Sequence, residues 1–483
     1  MDRNLGIPDV VELLGDWAVG RGPIYRRLAE SLERIIREGG LHPGDPLPPE
    51  RPFARALAVS RATVVSAYDR LRERGIVDSR QGSGTRVNRF AAPLRQPLDG
   101  RVTGGRATSL LQRMIDGPTE VISLTRAVDA AAPEVGTVLQ EVVDTDLGEL
   151  LKDTGYRPAG LPALRAAVAD QYGSQGLPTT PDQVLITSGT QQALNLISTM
   201  YIRRGTSVMV ESPSWPGCLD AFRAAKARLL GVPLDDEGID LRIARQVMAE
   251  HQPVLMFVMP TYHNPTGLLM TGRRRAHLAD LAAQHNVVIV EDNNFLPPDG
   301  PDGAPGPAPI AAYGSSDAQV LTTGTLTKLV WGGLRIGWLR GPAELIERLA
   351  RLKAMADLGN PFVDQAVAAR LMPRLPAIAA RRLTEARGRM ELVGSLIAEK
   401  LPEWQWRMPA GGSALWVRLP GADTRAFAQV ALRHGIEVVP GASMDSSGRH
   451  DDHIRVPCVH PEDVLVEMVD RLENAWRDAA MAR

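Results

Sequence analysis

One lysine, Lys328, stands inside the otherwise apolar, hydroxyl- and glycine-rich run Gly324-Thr-Leu-Thr-Lys-Leu-Val-Trp-Gly-Gly-Leu-Arg-Ile-Gly337. Burying an ammonium is costly unless it is neutralised or bonded, and a desolvated lysine amine is the nucleophile that joins an aldehyde as a Schiff base. The hydroxyls of Thr325 and Thr327 and the guanidinium of Arg335 are groups that hold a phosphate on such a ligand. Taken alone, the run also fits a solvated lysine in a turn between two strands.

Four earlier segments bear on the choice. Ser188-Gly189-Thr190 follows an apolar strand and opens a helix, so its amides and the helix's positive end can hold a phosphate dianion, although the same residues can serve as a turn and cap. Trp215, in Ser212-Pro-Ser-Trp215, follows the next strand and can stack on a flat ring or pack in the core. Asn264, in Pro260-Thr-Tyr-His-Asn-Pro-Thr-Gly267, can present its amide to a ring hydroxyl. Asp292, at the end of the apolar run Val287–Val290, can pair with a protonated ring nitrogen. Each signal is weak alone, but together they recur at strand ends, in order, ahead of Lys328.

The elements that must position these residues read as a doubly covered sheet. Apolar strands at Val184–Thr187, Ser207–Val210, Val254–Val258 and Val287–Val290 are separated by amphipathic helices such as Gln191–Tyr201 and Thr271–His285. Continuous apolar strands between helices predict a mainly parallel α/β sheet with ligand groups at the strand ends.

Composition is that of a globular protein, with 44% apolar and 23% charged residues over 483 positions. No apolar run approaches the roughly 18 residues of a membrane span, and the N-terminus lacks a signal pattern, which reads as a cytoplasmic protein. The two cysteines, Cys218 and Cys458, and the nine scattered histidines show no metal-ligand spacing, so no metal site is expected. Net charge is −1, but residues 1–90 hold 15 Arg, no Lys and 12 acidic side chains, while the remainder holds 40 basic and 44 acidic ones. A small basic module is thus joined to a mildly acidic body.

Within that module, Pro23–Glu38 places Ile24, Leu28, Leu32, Ile35 and Ile36 on one helical face. A short helix at Arg51–Leu57, a tight turn, and a second helix at Arg61–Arg74 capped by Ser60 form a helix-turn-helix pattern. The alternation around the Gln81-Gly82-Ser83-Gly84 turn predicts a two-stranded wing. Arg61 and Thr63, at the start of the second helix, are candidates for reading base edges, and Arg51, Arg80 and the Gly82–Thr85 turn are candidates for phosphate contacts on DNA. The alternative is an arginine-decorated solvated face. The string LPPERPFARALAVSRATVVSAYDRLRERGIVDSRQGSGTRV resembles the winged-helix domain of GntR-type bacterial transcription regulators. In that family Pro49 is usually a serine that caps the second helix, so a weaker helix start is expected here.

From about residue 150 onward the chain resembles fold-type I aminotransferases, and with the winged helix ahead of it the whole is similar to MocR-type regulators of the GntR group. The resemblance implies an α/β pyridoxal-phosphate-binding domain with a smaller C-terminal α+β subdomain. It divides the chain into a winged helix at 1–90, an extended linker at 91–118 and an aminotransferase-like domain at 119–483. By the same resemblance Lys328 forms the Schiff base and Asp292 pairs with the pyridine nitrogen. Asn264 bonds the ring oxygen, Trp215 stacks on the ring, and Ser188, Gly189, Thr190, Thr325 and Arg335 hold the phosphate. Tyr156, in Gly155-Tyr-Arg-Pro-Ala-Gly160, matches a tyrosine that reaches a partner subunit's phosphate, implying a homodimer, with head-to-tail exchange of the winged helices as one arrangement. Arg455, in His453-Ile-Arg-Val456, matches the arginine that clamps an amino acid's carboxylate.

One departure stands out: Asn294 occupies the position two residues after the aspartate where the family usually has a tyrosine. The Pro/Gly-rich stretch Leu296–Pro309 that follows reads as a surface loop or a lid. The combination implies a DNA-binding regulator that senses an amino acid, an amine or pyridoxal phosphate itself. A true aminotransferase with an accessory DNA-binding domain is the alternative, since Lys328, Asp292 and Arg455 suffice chemically for transamination.

Overall fold

A computed structural model describes residues 5–20, 22–80, 84–88, 121–297, 306–314 and 318–481. The expected linker at 91–118, Gly82 and most of the Pro/Gly-rich stretch after Leu296 lie outside the described residues.

The N-terminal head contains helices α1 (Ile7–Leu14), α2 (Ile24–Arg37), α3 (Glu50–Ala56) and α4 (Arg61–Glu73), followed by strands β1 (Val77–Arg80) and β2 (Gly84–Val87). Leu28, Leu32, Ile35 and Ile36 on α2 are buried, as their spacing predicts, against Phe53, Val64, Tyr68 and Leu71. The Ser60 hydroxyl accepts the Thr63 N–H at 3.1 Å and caps α4, whereas Pro49 offers α3 no side-chain cap. β1 and β2 pair antiparallel, Val77 opposite Val87, and form the wing. Helix α1 was not anticipated; its Val10 and Leu14, with Trp17, close the far side of the same core.

The body begins with β3 (Ile122–Ser123) and continues with β4 (Val184–Thr187), β5 (Ser207–Ser212), β6 (Arg228–Asp235), β7 (Gly238–Ile239) and β8 (Leu255–Val258). β9 (Val288–Asp292), β10 (Val320–Thr325) and β11 (Gly337–Arg340) complete an eight-stranded sheet in the order β4-β11-β10-β9-β8-β5-β6-β7. β11 runs antiparallel to both neighbours and β7 is antiparallel to β6; the other pairings are parallel, as the apolar strands predict. Helices cover both faces.

A smaller C-terminal subdomain carries β12 (Gln405–Trp406), β13 (Ala414–Arg418), β14 (Ile436–Glu437), β15 (Val439–Pro440) and β16 (His453–Pro457). Four of these form a sheet in the order β12-β13-β16-β15, packed on the helices Leu375–Lys400, Thr424–Arg433 and Glu462–Met481. β14 instead pairs parallel with β3, which enters from the N-terminal side of the body.

The head rests on this subdomain. Leu432, at the end of the helix Thr424–Arg433, and Val121, just before β3, are both buried in the head's apolar cluster. The Trp17 indole donates to Gln429 Oε1 at 2.9 Å, and Arg433 Nη1 donates to the Leu57 carbonyl at 3.4 Å. The turn of the helix-turn-helix is therefore seated on a body helix.

Loss of the α4 cap is the simplest check on the head. Ser60→Ala should cost about 1 kcal/mol, measurable as a lower denaturation midpoint for the transition in which the head unfolds.

Candidate ligand site at the strand ends

Because β4, β5, β8, β9 and β10 point the same way, the segments that follow them converge on one edge of the sheet. There the structure brings together most of the residues singled out from the sequence.

The phosphate cradle forms where β4 and β10 end. Gly189 adopts φ +123°, a conformation that side-chain-bearing residues rarely take, and a Cβ on it would lie 3.7 Å from Arg335 Nη2 and 3.9 Å from Thr325 Oγ1. Three elements expected to share a phosphate are thus within one van der Waals layer. Gly337 permits the approach, since a Cβ there would come within 2.7 Å of both Gly189 Cα and the Gly324 carbonyl. Thr325 Oγ1 donates to the Ile336 carbonyl at 3.1 Å and lies 2.9 Å from Thr327 Oγ1, fixing the loop that leads to the lysine. Ser188 N–H donates to Gln192 Oε1 at 2.9 Å. Arg335 is exposed and has no carboxylate partner among the described residues.

Asp292 is 2% exposed at the end of β9. Its Oδ1 accepts from Thr323 Oγ1 at 2.6 Å and from Thr190 Oγ1 at 3.2 Å, and its Oδ2 accepts from Asn294 Nδ2 at 2.8 Å. Burial pushes its carboxyl up to about 6, against the opposing pull of these bonds and of Lys328. The Thr190 hydroxyl is bonded to Asp292 and to Asn294 Oδ1, leaving its backbone to open the helix Thr190–Tyr201. Asn294 is engaged with the aspartate and with Thr190.

Lys328 lies just beyond β10, its Nζ donating to the Ala127 carbonyl at 2.7 Å. Burial and then the nearby Arg455 push its amine down to about 8, with Asp292 and Asp129 opposing. Arg455, on β16, is 4% exposed. Its Nη2 donates to the carbonyls of Leu124 at 3.2 Å and Thr125 at 2.7 Å, and its Nη1 to Asn264 Oδ1 at 3.3 Å. Its Nε has no hydrogen-bond partner, and burial pushes the guanidinium down to about 10. A buried guanidinium facing carbonyls and an amide rather than a carboxylate is suited to receive one.

Trp215 stands at the end of β5 with its ring folded over Gly217, where a Cβ would meet it at 2.3 Å. Tyr156 is 68% exposed. Thr323, placed opposite Asp292 by the β9–β10 register, and the carbonyls of Leu124, Thr125 and Ala127 escaped the sequence reading. The register offers a signal for Thr323; backbone carbonyls offer none.

On the head, Arg61 opens α4, 57% exposed at its side chain and paired with Glu50 at 2.7 Å. Thr63 Oγ1 lies 2.9 Å from Ser60 Oγ, and Arg51 is exposed on α3. On the wing, Thr85 Oγ1 lies 2.8 Å from Ser79 Oγ, and Arg80 pairs with Gly84 across the ribbon.

The body residues fit pyridoxal phosphate: a glycine-opened cradle for its phosphate, a buried carboxylate for its ring nitrogen, and a lysine amine for its aldehyde. The lowered lysine value makes a pH prediction. The free amine appears as pH rises through about 8, below the ordinary 10.5, so capture of added cofactor by the unloaded protein should quicken about tenfold between pH 7 and 9. A rate that rises about 100-fold over the same interval and keeps climbing beyond pH 9, as an amine with the ordinary value of 10.5 would give, would contradict the assignment.

Comparison with known proteins agrees with both halves. Residues 131–472 match the family described as aminotransferase class I and II, and residues 24–87 match the bacterial regulatory proteins of the gntR family. The chain is 30% identical to the uncharacterized HTH-type transcriptional regulator YisV of Bacillus subtilis over 461 residues, covering 90% of this chain and 93% of that one. It is 30% identical to the probable rhizopine catabolism regulatory protein MocR of Rhizobium meliloti over 350 residues, covering 68% of each. Among solved structures it resembles the kynurenine aminotransferase of Pyrococcus horikoshii, solved in complex with PMP, at a TM-score of 0.70 and 27% identity, covering 77% of this chain and 95% of that one. The chain therefore belongs to the class I and II aminotransferase family and joins that domain to a GntR-type helix-turn-helix, as HTH-type transcriptional regulators of the MocR kind do.

Proposed function

We propose that this transcription regulator binds operator DNA through its winged helix and senses an amino acid or amine through pyridoxal phosphate held at Lys328. The bound cofactor supplies an aldehyde that joins amines covalently and a ring that draws electrons from them. The chain's own residues do the rest. Arg335, Thr325 and the Ser188–Thr190 turn hold the phosphate, Asp292 keeps a proton on the ring nitrogen, and Asn264 bonds the ring oxygen. Lys328 presents its amine, and Arg455 takes the effector's carboxylate. The observation that carries the reading is that the head is seated on the same subdomain that holds Arg455, through Leu432 and the Trp17–Gln429 bond. A ligand that favours one placement of that subdomain then changes DNA affinity through its differential binding.

The protein acts in the cytoplasm as a homodimer. Leu151, Tyr156, Met355 and Leu358 are 75%, 68%, 85% and 51% exposed, an apolar set suited to a second copy. Slow transamination is a second reading, favoured by the presence of Lys328, Asp292 and Arg455 in one site.

Two substitutions test the halves separately. Lys328→Ala should abolish the visible absorbance of cofactor-loaded protein, and a wild type that stays colourless after reconstitution would refute cofactor binding. Arg61→Ala should weaken binding to an operator selected from random sequence by roughly 5- to 150-fold, the ~1–3 kcal/mol of a base contact, and an unchanged gel shift would remove Arg61 from the recognition surface.

A further inference from the structure

The segment Val121–Ala127 touches every part of the molecule that the proposed function must connect. Val121 is buried in the head's apolar cluster beside Leu432. Ile122 and Ser123 form β3 on β14 of the small subdomain, with Ile122 N–H donating to the Gly435 carbonyl at 3.0 Å and Leu124 N–H to the Glu437 carbonyl at 2.8 Å. The Ser123 hydroxyl adds a bond to Glu437 Oε2 at 2.6 Å. Leu124 is buried in the subdomain core. The carbonyls of Leu124 and Thr125 then accept from Arg455, and the Ala127 carbonyl accepts from Lys328. Beyond it, Asp129 pairs with Arg389 at 2.7 Å.

The contact with Arg455 has a geometric consequence. A carboxylate that binds a guanidinium side by side uses either the edge formed by Nε and Nη2 or the edge formed by Nη1 and Nη2. Both edges include Nη2, and Nη2 is already bonded to two backbone carbonyls of this segment. Nε, the remaining donor on one edge, is buried and without a partner. A carboxylate and the Leu124–Thr125 carbonyls therefore compete for the same donor.

We propose that Val121–Ala127 is a strap that a carboxylate-bearing effector displaces from Arg455, so that occupancy of the site is transmitted to the head through Val121. This rests on the sensor reading above and adds the route. Displacement leaves the Leu124 and Thr125 carbonyls without their charged donor, which loosens the β3–β14 pairing and, one residue upstream, the packing of Val121 under the head. The strap is continuous backbone, so the signal needs no chain of side-chain rearrangements between arginine and head.

The test uses the full-length, cofactor-loaded protein with maleate as an unreactive carboxylate probe. Amide hydrogen exchange at Ile122 and Leu124 should accelerate about tenfold with saturating maleate, while β4 amides stay unchanged, and Arg455→Ala should abolish the effect. In parallel, Ile122→Pro, which removes the donor to Gly435, should move operator affinity in the same direction as maleate does in the wild type, with the visible cofactor band intact. Strap exchange that stays unchanged while maleate perturbs the cofactor spectrum overturns the strap and leaves the sensor reading standing. Wild-type operator affinity in Ile122→Pro, alongside a maleate response in the unaltered protein, does the same. Failure of maleate to bind at all removes Arg455 as the carboxylate receptor, and the strap falls with it.

Discussion

The body is organised around charge that has been taken out of water without being neutralised. Asp292 is enclosed at the end of β9 and held by hydroxyls and an amide, and Arg455 faces carbonyls and the Asn264 amide. Removing such ions from water costs several kcal/mol each unless a counter-charge or a ligand makes it good. Here the opposing charges are held on different subdomains, Asp292 at the end of β9 and Arg455 in the middle of β16. The large sheet holds the aspartate at one edge, and the glycines at 189 and 337 let that edge pack closely against Thr325 and Arg335.

That constraint also explains what was legible in the sequence. Ser188–Thr190 and Asp292 lie where the apolar strands β4 and β9 end, and local periodicity is enough to place a strand end. The same holds for α2 and α4, whose apolar spacing and Ser60 cap are local signals. What could not be read was long-range or carried by backbone. Helix α1 has no partner visible in its own segment, since Val10 and Leu14 bury against helices that lie beyond it in the chain. The carbonyls on Arg455 and Lys328 come from residues more than two hundred positions away and have no side-chain signature. Asn294 was visible as a departure, but its role was not: its amide bonds Asp292 and receives Thr190, so it supports the aspartate.

The head gains meaning from where it sits. A winged helix tethered without contact would be indifferent to the body's ligand. Here Leu432 completes the head's apolar core, and Arg433 reaches the carbonyl of Leu57 in the turn before the recognition helix. Movement of the helix Thr424–Arg433 therefore has a price in head packing, and the helix belongs to the subdomain whose β16 carries Arg455. The head and the subdomain that carries Arg455 form one packed unit rather than two independent ones.

A sensor of this kind holds a coupling free energy between effector and operator, and coupling is reciprocal. The most direct measurement is the apparent affinity of cofactor-loaded protein for an amino acid that perturbs its visible spectrum, determined with and without saturating operator DNA. The account predicts that the operator shifts that affinity by roughly 5- to 150-fold, matching the shift the amino acid produces in operator affinity. An amino acid that changes the spectrum with identical affinity in the presence and absence of operator would contradict it.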